Sequence, residues 1–295
     1  MEKIHGVIPP MVTPFKENGD LDSKAFVSNI EKWNKDKLTG YLVLGSNSET
    51  VYLSEEEKLE LVKLTVEHAG KDRLIIAGTG LESARETIKL TNKCASLGAH
   101  CALVLTPYYY DNAMDSKAMI RFFKEVADHS DIPVLLYNVS KFTSVNIGAD
   151  AVAELSRYKN IVGMKDSNGD VPQLAVFLQA ASEDFQIMTG TYSAWYPALA
   201  MGITATISAM ANCCPNEIAE TQELYEAGKL NESFNLYQRM FPVNSAVTGA
   251  FGIPGLKYVC DLLGYSGAHV RNPLTDCSET QKEQLRSIVN KALRL

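Results

Sequence analysis

The stretch I-V-G-M-K-D at residues 161–166 is too short for an ordinary helix, and its first four residues are all apolar or glycine. A short, continuous apolar run predicts a β-strand that is buried on both faces. Seven further runs have the same character and also end in small or polar residues. They lie at residues 6–14, 40–46, 74–80, 101–107, 133–138, 185–190 and 205–210.

Helical patterns lie between these runs. Ser54 and Glu57 have the spacing of a capping box, and Leu59 and Val62 begin the apolar stripe that follows. Strands that alternate with helices roughly every 20 to 35 residues are typical of βαβ units around a parallel sheet. Eight such units favour a closed barrel over an open doubly wound sheet. We therefore predict an α/β fold, a (β/α)8 TIM barrel with its core over residues 1–212.

The strand pattern stops after residue 212. Four helical stretches follow, at residues 215–227, 232–248, 254–263 and 278–293, and no flexible linker precedes them. We expect residues 213–295 to supply the last barrel helix and a C-terminal helical appendix. This appendix would pack on the barrel and form one structural unit with it.

The net charge of −7 and the absence of a basic run argue against a nucleic-acid partner. No apolar stretch approaches the length of a membrane span, so we expect no membrane association. Glu2, Lys3 and His5 interrupt any apolar start, which predicts that no signal peptide is present. We therefore expect a soluble, cytoplasmic protein.

The six cysteines and five histidines show no C-x-x-C, H-x-H or H-E-x-x-H spacing. This pattern predicts buried, reduced thiols and no bound metal. The candidate glycine loop at residues 78–83 lacks the third glycine of a dinucleotide fingerprint, and no Walker-type loop occurs. A nucleotide cofactor is therefore disfavoured.

Lys165 is the most informative residue, because barrel enzymes carry their reacting groups at the carboxyl ends of the strands. Burying an ammonium group is costly, and the cost is relieved when the lysine pKa falls toward neutrality. A neutral amine in an apolar pocket can attack a ketone and form an imine. The alternatives are a lysine that extends into solvent and one that pairs with Asp166.

Tyr137 ends the preceding run and should lie beside Lys165, where a phenol could relay protons. It could equally be an aromatic ring that only fills the barrel end. Ser46 and Asn47 follow a glycine at another strand end, where a turn can present amide hydrogens to a carboxylate; a plain turn is the alternative. Tyr108, Tyr109 and Tyr110 could add a second phenol or fill an interface.

Together these motifs resemble the dihydrodipicolinate synthase / N-acetylneuraminate lyase family of class I pyruvate-type aldolases, over about residues 6–273. The landmarks are G-S-N-S-E-T at 45–50, A-G-T-G at 77–80, V-L-T-P-Y-Y at 104–109, L-Y-N-V at 136–139 and V-G-M-K-D-S at 162–167. Their order and spacing are more specific than any one of them.

The resemblance implies a role for each matching residue. Lys165 would be the Schiff-base lysine and Tyr137 the proton relay, with Ser46 linking that relay. Ser46 and Asn47 would grip the carboxylate of a 2-oxo acid. Tyr109 would reach across a dimer interface to a neighbouring site, in a homotetramer built as a dimer of dimers. Gly190 and Ile207 would line the pyruvyl end of the pocket, and neither a metal nor a cofactor would be needed.

Phe142 stands where the synthase branch of the family carries an arginine for the second substrate's carboxylate. An apolar ring cannot offer that bidentate contact, which argues against synthase activity; Lys141 is adjacent. The segments at 45–49, 163–171 and 246–257 look like the 4-hydroxy-2-oxoglutarate aldolase branch and its keto-deoxy sugar-acid relatives, although Ser48 replaces a glycine common there.

The polar groups at the other strand ends could hydrogen-bond a polyhydroxylated substrate tail, or they could simply bond to backbone. They are Ser167, Thr191, Tyr192 and Ser208.

We therefore predict a lyase that cleaves a 4-hydroxy-2-oxo acid or a 2-keto-3-deoxy sugar acid to pyruvate and an aldehyde. The alternatives within the family are dihydrodipicolinate synthase (pyruvate plus aspartate semialdehyde), N-acetylneuraminate lyase and a keto-deoxy acid dehydratase. A barrel that binds a 2-oxo acid without turnover is a more remote alternative, as is a pyridoxal-phosphate barrel.

Overall fold

The computed structural model describes residues 3–294, and its centre is a barrel of eight parallel strands. The strands are β1 (Gly6–Ile8), β2 (Gly40–Val43), β3 (Leu74–Gly78), β4 (Cys101–Leu105), β5 (Val134–Asn138), β6 (Ile161–Asp166), β7 (Gln186–Thr189) and β8 (Ala205–Ile207). Each lies inside one of the eight predicted runs, and β2 to β8 pair in chain order.

Backbone hydrogen bonds close the barrel between its first two strands. β1 pairs with β8, and the chain just after β1 then meets β2. There the Leu42 amide donates to the Pro9 carbonyl at 3.0 Å, and the Met11 amide donates to the Leu42 carbonyl at 2.9 Å. The fold is thus a TIM barrel, and the predicted fold class is confirmed.

Helices surround the barrel. They are α1 (Ser23–Trp33), α2 (Glu55–His68), α3 (Ala84–Ser96), α4 (Ser116–His129), α5 (Ser140–Thr143), α6 (Ala149–Leu155), α7 (Val171–Ala180), α8 (Trp195–Ala200), α9 (Pro215–Glu226), α10 (Leu230–Ser245), α11 (Gly252–Leu262) and α12 (Glu279–Leu293). The predicted capping box begins α2, where Ser54 and Glu57 satisfy each other's backbone amides.

The strands bury alternate residues in two apolar clusters, which explains their uninterrupted hydrophobic character. Ile8, Leu42 and Leu103 belong to the smaller cluster inside the barrel. Their neighbours Val43 and Val104 belong to the larger cluster between the strands and the helices. Both faces of each strand are therefore apolar.

The four helical stretches predicted after residue 212 are present as α9 to α12. The stretch predicted at 232–248 is divided: α10 ends at Ser245, and a π-helical turn continues over Ala246–Ala250. α9 contacts β1, and α12 packs on α10 and α11. The division of the chain at residue 212 stays a prediction.

All six cysteines are buried and none is in a disulfide. Over residues 3–294, none of the helices has both the length and the apolar character needed to cross a membrane.

Candidate active site

A cavity of about 590 Å³ opens at the carboxyl ends of the strands. Most of the predicted site residues line it. Those that do are Ser46, Asn47, Tyr137, Lys165, Ser167, Gly190 and Thr191. The carboxyl ends of parallel strands meet at one rim of a barrel, so residues far apart in sequence converge there.

Lys165 lies at this rim on β6, and its side chain is buried, with only 3% of its surface exposed. The register pairs it with Tyr137 on β5, and its Nζ lies 4.3 Å from the centroid of the Tyr137 ring. Among residues 3–294, no carboxylate forms an ion pair with it. Lys165 therefore neither extends into solvent nor pairs with Asp166.

Asp166 points away from Lys165, because alternate residues of a strand face opposite sides. Asn138 Nδ2 donates to Asp166 Oδ2 at 2.7 Å, and Gln173 Nε2 donates to the same oxygen at 3.0 Å. Burial raises the pKa of Asp166, and these hydrogen bonds oppose that rise. The carboxylate thus belongs to a separate network behind the strand.

Tyr137 has its hydroxyl 3.4 Å from Ser46 Oγ. Burial alone would raise the pKa of this phenol, but the positive charge of Lys165 and the hydrogen bond with Ser46 outweigh it. The pKa of Tyr137 is therefore below its ordinary value. A phenol that releases its proton more readily, next to an amine and a hydroxyl, has the arrangement of a proton relay.

Gly190 leaves the space that Lys165 needs. A Cβ at this position would come within 2.9 Å of Lys165 Cε and would collide with the hydroxyl of Ser167. Ser167 Oγ is buried near the Tyr137 phenol, whose pKa it helps to lower, and it forms no well-aligned hydrogen bond in the described part of the chain. A ligand that accepted or donated a hydrogen bond there would relieve that cost.

The Ser46–Asn47 pair begins a short helical turn, Ser46–Ser48, directly after β2. The first amide hydrogens of a helical turn have no acceptor within the turn, so they can face a ligand. Ser48 stands in place of a common glycine without strain, because the left-handed conformation falls on Glu49, with φ of 55°. The Ser48 hydroxyl instead donates to the Met11 carbonyl at 2.6 Å.

Two predicted lining residues do not line the cavity. Ile207 is fully buried in the cluster inside the barrel, and Ser208 is fully buried with its hydroxyl unpaired among the described residues. Ala209, which follows the end of β8, lines the cavity instead. The binding roles of these two residues stay predictions.

Tyr109 also lies outside the cavity of a single chain. Its side chain is 73% exposed and packs edge-on against Tyr110, with ring centroids 5.1 Å apart. The Tyr109 backbone amide donates a hydrogen bond to the Glu82 carboxylate at 3.0 Å. Its contribution to a neighbouring site across an interface stays a prediction. Tyr192 is likewise turned away, with its hydroxyl 2.9 Å from Thr221 Oγ1.

Two parts of the cavity wall could not be placed from the sequence. Lys141 and Phe142 of α5 both line it, although the sequence could not show that neighbouring residues face the same space. The π-helical turn supplies Val247, Thr248 and Gly249. The only signal for that turn was the motif at 246–257, whose helical pattern gives no hint of π geometry.

Comparison with known proteins supports a single family. A family model described as the dihydrodipicolinate synthetase family matches residues 3–292. A 4-hydroxy-tetrahydrodipicolinate synthase of Methanothrix thermoacetophila is 33% identical over 287 residues, which cover 97% of this chain and 96% of the relative.

Solved structures agree. A dihydrodipicolinate synthase of Bacillus anthracis is 29% identical with a TM-score of 0.93, over 98% of this chain and 99% of that one. A chloride-inhibited dihydrodipicolinate synthase of Acinetobacter baumannii, in complex with pyruvate, is 29% identical with a TM-score of 0.93, over 99% and 100%.

Proposed function

The chain belongs to the dihydrodipicolinate synthetase family of class I aldolases, and from this we infer that Lys165 is the amine that forms an imine with pyruvate. One observation carries the inference. Lys165 is a buried lysine at the wall of a cavity, with a tyrosine beside it and no carboxylate paired with it among residues 3–294. An amine without a counter-ion is one that can react as a nucleophile.

The first steps follow from the neighbours of Lys165. The pyruvate carboxylate lies against the amides of Ser46 and Asn47, and the Lys165 nitrogen attacks the C2 carbonyl carbon. Tyr137 protonates the carbinolamine oxygen, water leaves, and a protonated imine forms. Tyr137 is left as a phenolate, which the Ser46 hydroxyl stabilises by donating a hydrogen bond.

Carbon–carbon chemistry follows at C3. The protonated imine withdraws electrons, so C3 gives a proton to the Tyr137 phenolate and becomes a nucleophilic enamine carbon. This carbon attacks an aldehyde carbonyl, and Tyr137 gives its proton to the new C4 oxygen. In reverse, Tyr137 takes the proton of the C4 hydroxyl, the C3–C4 bond breaks, and hydrolysis of the imine releases pyruvate.

The relatives support the condensing direction as the main candidate, the reaction of pyruvate with aspartate semialdehyde, because they are named as synthases. They give no support to the aldolase branch that we predicted from the sequence. Cleavage of a 4-hydroxy-2-oxo acid is the second candidate. Phe142 supports it, because a phenylalanine lines the cavity where the synthase branch has an arginine.

A trapping experiment tests the imine. Borohydride added with pyruvate should attach the reduced three-carbon unit to Lys165, as located by peptide mass spectrometry. Lys257 is the internal control, because it is a second buried lysine in the same chain. Absence of the adduct from Lys165 would refute the proposed function.

Assays on the same preparation decide the direction. Condensation is followed with pyruvate and aspartate semialdehyde, and cleavage is followed by pyruvate release from 4-hydroxy-2-oxoglutarate and from 2-keto-3-deoxy hexonates. The substrate with the highest kcat/KM identifies the reaction.

We also propose that the working enzyme is a homotetramer in which Tyr109 completes a neighbouring site. Its high exposure in the single chain supports a partner that covers it. Sedimentation of the wild type and of Tyr109→Ala tests this, and a fully active monomer would contradict it.

A further inference from the structure

We propose that Asp166 is a positioning residue of the active site. Its hydrogen bond with Asn138 fixes, from behind the barrel wall, the strand ends that carry Lys165 and Tyr137. The inference deepens the proposed function, on which it rests. Asp166 is not among the residues that line the cavity, so it acts on the reaction only through the position of the amine relative to the phenol.

The register of β5 and β6 places two residue pairs next to each other. Tyr137 is paired with Lys165, and both line the cavity. The next pair along the two strands is Asn138 with Asp166. Successive side chains of a strand point to opposite faces, so this second pair lies on the back of the strands. Asn138 Nδ2 donates to Asp166 Oδ2 at 2.7 Å, and this hydrogen bond joins the strands directly behind the amine and the phenol.

The Asp166 carboxylate is buried, with 1% of the residue's surface exposed, and its hydrogen-bond donors are neutral amides. Gln173 Nε2 donates to Oδ2 at 3.0 Å, and the Asn168 backbone amide donates to Oδ1 at 3.1 Å. No cation of residues 3–294 forms an ion pair with it. A well-packed apolar pair would avoid the cost of burying this charge. It would lack the directional hydrogen bonds that hold the strand ends at one spacing.

Four side chains form a closed ring of hydrogen bonds around this pair. Asn138 and Gln173 both donate to Asp166, Asn138 Nδ2 also donates to Asn146 Oδ1 at 2.8 Å, and Asn146 Nδ2 donates to Gln173 Oε1 at 2.8 Å. Asn138 Oδ1 accepts the Ile147 backbone amide at 3.0 Å, so the Asn138 amide is fixed in one orientation. A fully satisfied polar network is rigid, and rigid support of this kind holds reacting groups in place.

The spacing of the two strand ends matters for proton transfer. Burial raises the pKa of Tyr137, and the positive charge of Lys165 is the largest influence that opposes this rise. Lys165 Nζ lies 4.3 Å from the centroid of the Tyr137 ring, and the interaction of a charge weakens with distance. Strand ends that moved apart would therefore leave a phenol that is harder to ionise, beside an amine in a poorer position.

Asp166→Asn tests the role. The new amide places an NH₂ group against the donors of Asn138 and Gln173, so the hydrogen bond between the strands is lost or weakened. Borohydride trapping of pyruvate on Lys165 should become about 10- to 100-fold slower, as expected for a small misplacement of reacting groups. The limb of the kcat/KM profile for pyruvate that reports phenol ionisation should move to higher pH. A purely structural role would lower the free energy of unfolding and leave that limb in place.

The double variant Asn138→Asp/Asp166→Asn exchanges donor and acceptor across the pair and rebuilds the bond. It should fold, return the limb to its wild-type pH and recover most of the trapping rate. Asp170→Asn is the matched control, because Asp170 is an exposed aspartate outside the ring, and asparagine also serves as the N-cap of α7. It should leave the trapping rate and the limb unchanged.

A limb that stayed in place in folded Asp166→Asn would overturn the proposal. If Asp166→Asn does not fold, the double variant decides alone: a displaced limb or a loss of folding there would overturn it as well. Failure to trap pyruvate in the wild type would instead refute the proposed function, so the two failures are distinguishable.

Discussion

Lys165 and Lys257 are both almost fully buried lysines, with 3% and 1% of their surface exposed. They differ in whether a carboxylate of residues 3–294 pairs with the lysine. Lys257 Nζ lies 2.7 Å from Glu49 Oε1 in a buried ion pair. Lys165 has no such partner among residues 3–294 and lines a cavity. Burial alone therefore does not identify a reactive lysine. We propose that burial, an open cavity and a missing counter-ion together mark Lys165 as the reactive one.

The contact with an aromatic ring does not separate the two lysines. Lys257 Nζ lies 4.6 Å from the centroid of Phe15, and Lys165 Nζ lies 4.3 Å from that of Tyr137. The difference lies in what the ring carries. Phe15 is only a surface for the cation, whereas Tyr137 brings a titratable hydroxyl that can exchange protons with the amine.

The Lys257–Glu49 pair fixes the loop that we propose grips pyruvate. Glu49 lies close to Ser46 and Asn47 in the chain. Its Oε2 accepts a hydrogen bond from the Arg271 backbone amide at 2.8 Å. Burial lowers the pKa of Lys257, and Glu49 opposes that fall. The C-terminal helices thus hold the loop that carries Ser46 and Asn47 through a charge pair that does not line the cavity.

The largest effect should come from Lys165→Met. Without the amine no imine can form, so pyruvate trapping should disappear and turnover should fall by about 10⁴-fold or more. The free energy of unfolding should not fall, because methionine avoids the burial of an ammonium group. Enzyme assays and urea unfolding measure both. A variant that kept full activity would refute the role of Lys165.

Lys257→Met, the same substitution at the other buried lysine, should have the opposite profile. It leaves the Glu49 carboxylate buried without its cation, so the free energy of unfolding should fall by about 3–5 kcal/mol. Pyruvate should still be trapped on Lys165 in the molecules that remain folded. The double variant Glu49→Gln/Lys257→Met should recover most of the stability, and a double variant as unstable as the single one would contradict the argument.

Tyr137→Phe sharpens the comparison of the two rings. It keeps the aromatic surface but removes the proton relay, so kcat should fall by about 10²-fold while borohydride still traps pyruvate on Lys165 after longer incubation. Rapid-quench measurements of imine formation would show the slower step. An unchanged rate of imine formation would place the relay elsewhere.

Ser46→Ala should have the smallest effect, seen mainly in pH dependence. The hydrogen bond from Ser46 helps to lower the pKa of Tyr137, so its removal raises that pKa. The limb of the kcat/KM profile that reports phenol ionisation should move to higher pH, and the loss at the optimum should be about tenfold or less. A limb that stayed in place would show that Ser46 does not act through Tyr137.

Much of the candidate site could be predicted, because strand ends are easy to recognise. Tyr137 and Lys165 each end or nearly end an apolar run, and adjacent strands of a barrel place their ends side by side. Ile207 ends β8 in the same way and lies in the same cluster inside the barrel as Tyr137, but it is not among the residues that line the cavity. A strand end therefore predicts the rim of the barrel but does not tell which of the rim residues the cavity reaches.

The amino-acid sequence alone determined the barrel, the buried strand that carries Lys165 and the neighbouring strand that carries Tyr137. These features are local patterns of apolar residues, and such patterns decide which segments must be buried. Only the tertiary structure decided that Lys141 faces the cavity and that Glu49 pairs with Lys257, 208 residues away. Loop conformation and long-range packing select the partner of each charge, and neither leaves a periodic signal in the chain.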